Sequence, residues 1–150
     1  MGKKEEKMNK VKFYLVFAIL QIIANVSAAE KYSFLVVGDP QYLAEKSHSP
    51  KRLDPYSETA NSRAIALLKS FSGRSIPEDH GGGKVSGKIL GLINTGDLID
   101  SADKNGANYP AMQKFEWERY KADYGLTGKD GLIPFPVYEV HGNHDGPQGD

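Results

Sequence analysis

Three short polar motifs that could bind metal ions each follow an apolar run of the sequence. The motifs are Gly-Asp-Pro-Gln at residues 38–41, Gly-Asp-Leu-Ile-Asp at residues 96–100 and Gly-Asn-His-Asp at residues 142–145. An apolar run that stops at a glycine is typical of a buried strand, so each motif is predicted to lie at a strand end. Carboxylate, amide and imidazole groups are ligands for divalent cations. Their recurrence predicts one shared metal-binding pocket.

The residue types in these motifs suit phosphoryl transfer. Two divalent cations held about 3.5–4 Å apart can clamp a phosphoryl group and share a hydroxide nucleophile. Asp97 could bridge the two metals, Asp39 could bind one of them, and Asn143 could bind the other through its amide oxygen. His144 would stabilise the phosphoryl group or protonate the departing alkoxide, with Asp145 fixing its tautomer and orientation. A lone Gly-Asp pair is more typical of a turn, but three successive motifs favour a site.

Strands alternate with helices along the chain, which predicts an α/β fold. The apolar runs at residues 32–37, 89–93 and 137–140 are predicted to be buried strands. Connections that cross over between neighbouring strands gather the loops at one sheet edge, and ligands bind beyond the carboxyl ends of the strands. All three motifs are therefore expected at that edge.

Two helices are predicted between these strands. The first is expected to begin near Ser57 or Thr59, and the second to run from Pro110 to Gly125. The residues expected on their buried faces are Ala64, Leu67, Leu68 and Phe71 in the first helix and Trp117, Tyr120 and Tyr124 in the second. The polar stretches at residues 41–57 and 101–109 are predicted to be loops that select the substrate.

Residues 1–29 are predicted to be a cleaved export signal. Five lysines precede an apolar run at residues 13–23, and small residues follow at 26–28. An uncleaved membrane anchor is disfavoured because the run is shorter than the roughly 20 residues that span a bilayer. The exported part, residues 30–150, is therefore expected to be secreted or periplasmic, with no stable membrane span.

Charge and cysteine content narrow the possible functions. The chain has 19 Lys and Arg against 19 Asp and Glu, and losing five Lys and two Glu with the signal leaves 14 basic and 17 acidic residues. A mildly acidic protein offers no basic stripe to a nucleic-acid backbone, so duplex binding is not expected. The absence of cysteine excludes a thiolate nucleophile and Cys-ligated zinc.

The three motifs resemble those of the N-terminal half of a calcineurin-like metallophosphoesterase. Enzymes of that family carry Asp-x-His, Gly-Asp-x-x-Asp and Gly-Asn-His-Asp or Gly-Asn-His-Glu at successive strand ends. The resemblance covers residues 32–145. It implies a two-sheet β-sandwich flanked by helices, of which the N-terminal βαβαβ part is present.

The resemblance also implies a role for each motif residue. Asp39 would bind the first metal, Asp97 would bridge both, Asn143 would bind the second, and His144 would act on the substrate. Asp100 is expected to support these ligands without binding metal. Gln41 stands where the family has His. It would bind the first metal less tightly through its amide oxygen, which leaves the metals as Mn, Fe, Zn or Mg.

The expectation is thus an exported metallophosphoesterase acting on a phosphomonoester, a nucleotide or a phosphodiester such as a lipid headgroup. The family's two later His motifs do not occur in these 150 residues. A missing C-terminal half is therefore expected, and with it an isolated segment that lacks activity. The alternatives are a catalytically degenerate binding protein, a truncated fragment, and a one-metal nuclease-like hydrolase, which the presence of both Asp97 and Asn143 disfavours.

Overall fold

The computed structural model describes residues 31–85 and 87–146, so the predicted export signal at residues 1–29 lies outside the described part. The chain divides into two units between Lys31 and Tyr32. The second unit contains, in order, β1 (Ser33–Val37), α1 (Pro55–Lys69), a 3-10 helix (Glu78–His80), β2 (Ile89–Asn94), α2 (Tyr109–Tyr124) and β3 (Val137–Glu139). The predicted α/β class is confirmed in this mixture of strands and helices.

The three strands form one parallel sheet in the order β1-β2-β3. Val36 lies opposite Ile93, and Ile93 lies opposite Tyr138. Parallel neighbours need crossover connections, which α1 and α2 supply. The carboxyl ends of all three strands therefore lie at one edge of the sheet, as predicted.

One face of the sheet carries the hydrophobic core. The side chains that meet there include Leu35 and Val37 of β1, Leu92 of β2, Val137 of β3, Ile65 and Leu68 of α1, and Tyr120 and Tyr124 of α2. On the opposite face Phe34, Val36 and Tyr138 are each more than half exposed. The prediction that β1 is a buried strand is therefore confirmed only for its core face in the described residues, because successive side chains of a strand point to opposite faces.

Helix α1 begins earlier than predicted, because Asp54 caps it. The Asp54 carboxylate accepts hydrogen bonds from the backbone N–H groups of Tyr56 and Ser57, and Pro55 occupies the first turn. Ser57 therefore lies inside the helix. The buried residues of α1 are Ser57, Asn61, Ile65 and Leu68, so of the predicted apolar face within the helix Leu68 is buried, whereas Leu67 is 45% exposed.

Helix α2 confirms the prediction closely. Pro110 lies in its first turn and Gly125 ends it with a φ of 62°, a conformation that glycine adopts without strain. Tyr120 and Tyr124 are fully buried, whereas Trp117 stacks on Tyr120 at 5.5 Å between ring centroids and stays 37% exposed. The aromatic stripe is therefore mainly part of the core.

Candidate metal centre

The backbone is strained at three of the four predicted metal ligands. Asp39, Gln41 and Asp97 have φ values of 51°, 36° and 52°, and they are the non-glycine residues with positive φ in the described part of the chain. The left-handed conformation costs an L-residue of order 1–2 kcal/mol, because its Cβ crowds the following carbonyl oxygen. Strain of this kind persists where the surrounding structure enforces it and concentrates at functional sites.

Backbone hydrogen bonds between the first two motifs enforce this conformation. The N–H of Asp39 donates to the Gly96 carbonyl at 3.2 Å, and the N–H of Gln41 donates to the Asp97 carbonyl at 2.9 Å. The pairing continues beyond the sheet, since Tyr42 N–H donates to the Leu98 carbonyl at 3.0 Å. The segment after β1 therefore runs beside the segment after β2.

The buried polar face of α1 holds the first motif from the other side. Asn61 Nδ2 donates to the Pro40 carbonyl at 2.9 Å, and Ser57 Oγ donates to the Gln41 carbonyl at 3.3 Å. Buried polar side chains need such partners, because leaving them unpaired costs free energy. These bonds explain why α1 buries Ser57 and Asn61 where an apolar face was expected.

The third motif folds as a turn against Asp97. The N–H of His144 donates to Asp97 Oδ1 at 2.9 Å. The Asp145 carboxylate accepts three backbone N–H bonds, from Leu98 at 2.6 Å, Ile99 at 3.0 Å and Gly142 at 2.8 Å. Residues 142–145 are thereby bound to the segment that follows β2. The structure thus brings the second and third motifs into direct contact.

This contact depends on two glycines. A Cβ on Gly96, whose φ is 108°, would lie 2.6 Å from the backbone nitrogen of Gly142. A Cβ on Gly142 would in turn overlap the backbone nitrogen and Oδ1 of Asp97. The two backbones can approach this closely because neither position carries a side chain.

His144 has a different carboxylate partner from the one predicted. Asp103 Oδ1 lies 3.2 Å from His144 Nδ1, and the Asp103 side chain is 7% exposed. Asp145 was expected to orient this ring, but its carboxylate binds backbone N–H groups instead. Sequence reasoning missed Asp103, for which the available signal was a further carboxylate three residues after Asp100.

Asp100, the predicted supporting residue, forms an ion pair with Lys104. Its backbone N–H donates to the Tyr42 carbonyl at 3.1 Å. Desolvation lowers the pKa of Lys104, but the hydrogen bond and the charge of Asp100 outweigh it and raise that pKa overall. Asp100 therefore holds the loop after β2 in the described structure.

The remaining predicted ligands are Asp39, Gln41 and Asn143. Asp39 and Asn143 are exposed and Gln41 is half-buried, and within the described residues no hydrogen bond or ion pair engages these three side chains. No group of three or more His, Asp or Glu side chains able to hold a metal occurs in the same residues. The predicted donors include only two carboxylates, Asp39 and Asp97, and two amides, so this finding does not bear on them.

An open cleft of about 620 Å³ adjoins the third motif. Its lining residues include Leu98, Ile99, Trp117, Glu139, His141 and Asp145. Burial raises the pKa of Glu139, and the neighbouring charge of Asp145 adds to this, although a hydrogen bond with Tyr120 acts in the opposite direction. The cleft offers a mainly apolar space beside the strand ends.

Comparison of the chain with models of protein families, with curated proteins and with solved structures found no match. The resemblance to calcineurin-like metallophosphoesterases therefore rests on the three motifs and stays a prediction.

Replacing Asp145 with Asn is expected to destabilise the protein by about 1–3 kcal/mol. An amide keeps one acceptor oxygen but turns its NH₂ group toward a backbone N–H, so at least one of the three bonds described above is lost. Thermal denaturation followed by circular dichroism measures the change. Asp54→Asn is the matched control, because Asn caps a helix as well as Asp does. Equal melting temperatures for the two variants would contradict this assignment.

Proposed function

We propose that this protein is an exported, metal-dependent phosphoesterase with a dinuclear metal centre at the carboxyl edge of the sheet. The observation that carries the proposal is the left-handed backbone at Asp39, Gln41 and Asp97. The strained non-glycine positions of the described chain coincide with three of the four predicted metal ligands. An ordinary turn does not require a non-glycine residue in the left-handed conformation, since Gly would relieve the strain at each position.

The donor set fits hard divalent cations. Asp39 and Gln41 would hold the first ion, Asp97 would contact both, and Asn143 would hold the second. These donors are all oxygen atoms, which suit Mg²⁺ and Mn²⁺ better than softer metals. When bound, the two ions would supply positive charge that polarises the phosphoryl oxygens and lowers the pKa of water.

The protein's own residues would position these groups and handle the proton. The N–H of His144 donates to Asp97 Oδ1, which restricts the rotation of the Asp97 carboxylate. Because Nδ1 of His144 faces Asp103, Nε2 is the ring nitrogen available to the substrate. It would donate a proton to the departing oxygen or a hydrogen bond to the phosphoryl group. The organic part of a small phosphate ester would occupy the neighbouring cleft.

A two-sheet β-sandwich is proposed for the domain, as the resemblance implies. The uncovered apolar face of the described sheet, with Phe34, Val36 and Tyr138 exposed, supports a second layer. Export is proposed from the signal-like residues 1–29. Among residues 31–85 and 87–146, no helix has both the length and the apolar character needed to cross a membrane.

Titration of the full chain with Mn²⁺, followed by isothermal calorimetry, tests the metal centre. Saturable binding with a Kd between about 1 µM and 1 mM is expected. Absence of saturation at Mn²⁺ concentrations up to about 10 mM, roughly tenfold above the highest expected Kd, would overturn the proposal. The protein would then be assayed with p-nitrophenyl phosphate and bis-p-nitrophenyl phosphate. Loss of hydrolysis in EDTA is expected, whereas binding without turnover would favour the non-catalytic binding protein.

Replacing Asp103 with Asn is expected to slow hydrolysis by that protein about 10–100-fold, because the variant removes the charge that faces His144 Nδ1. The Kd for Mn²⁺ should stay unchanged, since Asp103 is not among the donors. Asp79→Asn, in the exposed 3-10 helix, is the surface control. A kcat equal to that of the control would show that Asp103 does not act through His144.

A further inference from the structure

Glu116 is a fully buried carboxylate in the middle of α2. Its exposure is 0%, and its oxygens accept three hydrogen bonds. These come from Ala44 N–H to Oε1 at 2.9 Å, from Ser101 Oγ to Oε1 at 2.8 Å and from Ser101 N–H to Oε2 at 3.0 Å. Burial raises the pKa of Glu116, and these three bonds partly oppose that rise. A buried carboxylate needs such partners, because an unpaired buried charge is very costly.

The two partners of Glu116 belong to the two segments that carry strained metal ligands. Ala44 follows Gln41 by three residues, and Ser101 follows Asp97 by four. Between these points the segments run in parallel, since Tyr42 pairs with Ile99 in an isolated β-bridge. The far ends of both segments are thus attached to one side chain.

A carboxylate can hold this arrangement in a way that an apolar side chain cannot. Its two oxygens lie at a fixed separation and accept N–H bonds from different segments at once. An apolar residue of similar volume would leave two buried N–H groups unpaired. A second contact from α2 reinforces the attachment, since Gln113 Nε2 donates to the Ser101 carbonyl at 2.9 Å.

We propose that Glu116 is a positioning residue of the candidate metal centre, whose carboxylate sets the spacing between the segments after β1 and β2. It thereby maintains the left-handed backbone at Gln41 and Asp97, and this assignment rests on the metal centre proposed above. Glu116 contacts neither metal nor substrate. It acts through the two backbone segments that it holds together.

The variant Glu116→Gln tests this role at nearly constant volume. Its NH₂ group cannot accept an N–H bond, so the backbone N–H of either Ala44 or Ser101 loses its partner. Amide hydrogen exchange at residues 39–44 and 97–101 is expected to accelerate about tenfold or more relative to the rest of the core. The Kd for Mn²⁺ is expected to rise about 10–100-fold.

Met112→Ala is the matched control, because Met112 is a buried residue of the same helix that contacts neither segment through a hydrogen bond. It lowers the melting temperature by cavity formation and should leave both local exchange and Mn²⁺ affinity near the wild-type values. If Glu116 has only a structural role, Glu116→Gln and Met112→Ala should change local exchange and Mn²⁺ affinity alike when their losses of melting temperature are equal. That result would overturn the proposal.

Two further readouts keep the test decisive. If Glu116→Gln does not fold, Ser101→Ala removes one of the three bonds and is expected to give the same local effects at smaller size. If the wild-type chain does not bind Mn²⁺, the proposed function fails. The positioning role of Glu116 is then tested by the exchange measurement alone. Selective loosening of residues 39–44 and 97–101 then supports the positioning role, and uniform loosening overturns it.

Discussion

Replacing Asp97 with Asn is expected to weaken Mn²⁺ binding at least about 100-fold, which corresponds to a loss of about 2.7 kcal/mol or more of binding free energy. The fold is expected to tolerate this substitution for two structural reasons. Asn adopts the left-handed conformation more readily than most residues, so a φ of 52° is tolerated. Its amide oxygen can also still accept the His144 N–H. The fold should therefore survive while the negative charge of Asp97 is lost.

Calorimetric titration with Mn²⁺ measures this effect, and circular dichroism verifies that the variant is folded. Asp79→Asn removes a carboxylate from the exposed 3-10 helix and should leave the Kd unchanged. Asp39→Asn should weaken binding less than Asp97→Asn, because Asp39 is proposed to contact one ion and Asp97 two. If the Asp97→Asn protein is folded and binds Mn²⁺ with wild-type affinity, the proposed metal centre at this edge of the sheet is contradicted.

The second large effect is expected for Gly142→Ala. The added methyl group would overlap the backbone nitrogen and Oδ1 of Asp97, and a backbone atom cannot move aside as a flexible side chain can. Overpacking of this kind costs about 2–3 kcal/mol. A loss of that size lowers the melting temperature by about 10 °C in a domain of this length. The turn at residues 142–145 should also detach from the segment after β2.

Thermal denaturation of Gly142→Ala and of a matched glycine variant measures this cost. At Gly87 an added Cβ would meet only Ser72 Oγ, at 3.9 Å, so Gly87→Ala should be neutral or stabilising by up to about 1 kcal/mol. If both variants melt at the wild-type temperature, the second and third motifs do not approach each other as described. Reduced Mn²⁺ affinity in Gly142→Ala is expected in addition, because Asp97 must move.

Local signals in the sequence determined the strands and the second helix. Apolar runs that stop at Gly38, Gly96 and Gly142 located the strand ends, and Pro110 and Gly125 marked the limits of α2. These signals act over a few residues, because strand burial and helix termination are properties of short segments. The placement of all three motifs at one sheet edge followed from the alternation of strands and helices alone.

The start of α1 was also encoded locally, by Asp54 followed by Pro55, but its buried face was not. Ser57 and Asn61 are buried because the carbonyls of Pro40 and Gln41 lie beside them and accept their hydrogen bonds. Apolar periodicity cannot reveal a polar contact between a helix and a distant loop. The tertiary structure decided which face of α1 packs inward.

The partners of the site residues likewise depended on the path of the chain. Asp145 binds N–H groups of Leu98 and Ile99, which lie 46 or 47 residues earlier in the sequence, and this leaves Asp103 to face His144. The sequence by itself determined which residue types gather at the sheet edge. Only the tertiary structure decided which carboxylate lies beside the imidazole, because that proximity arises when distant segments pack together.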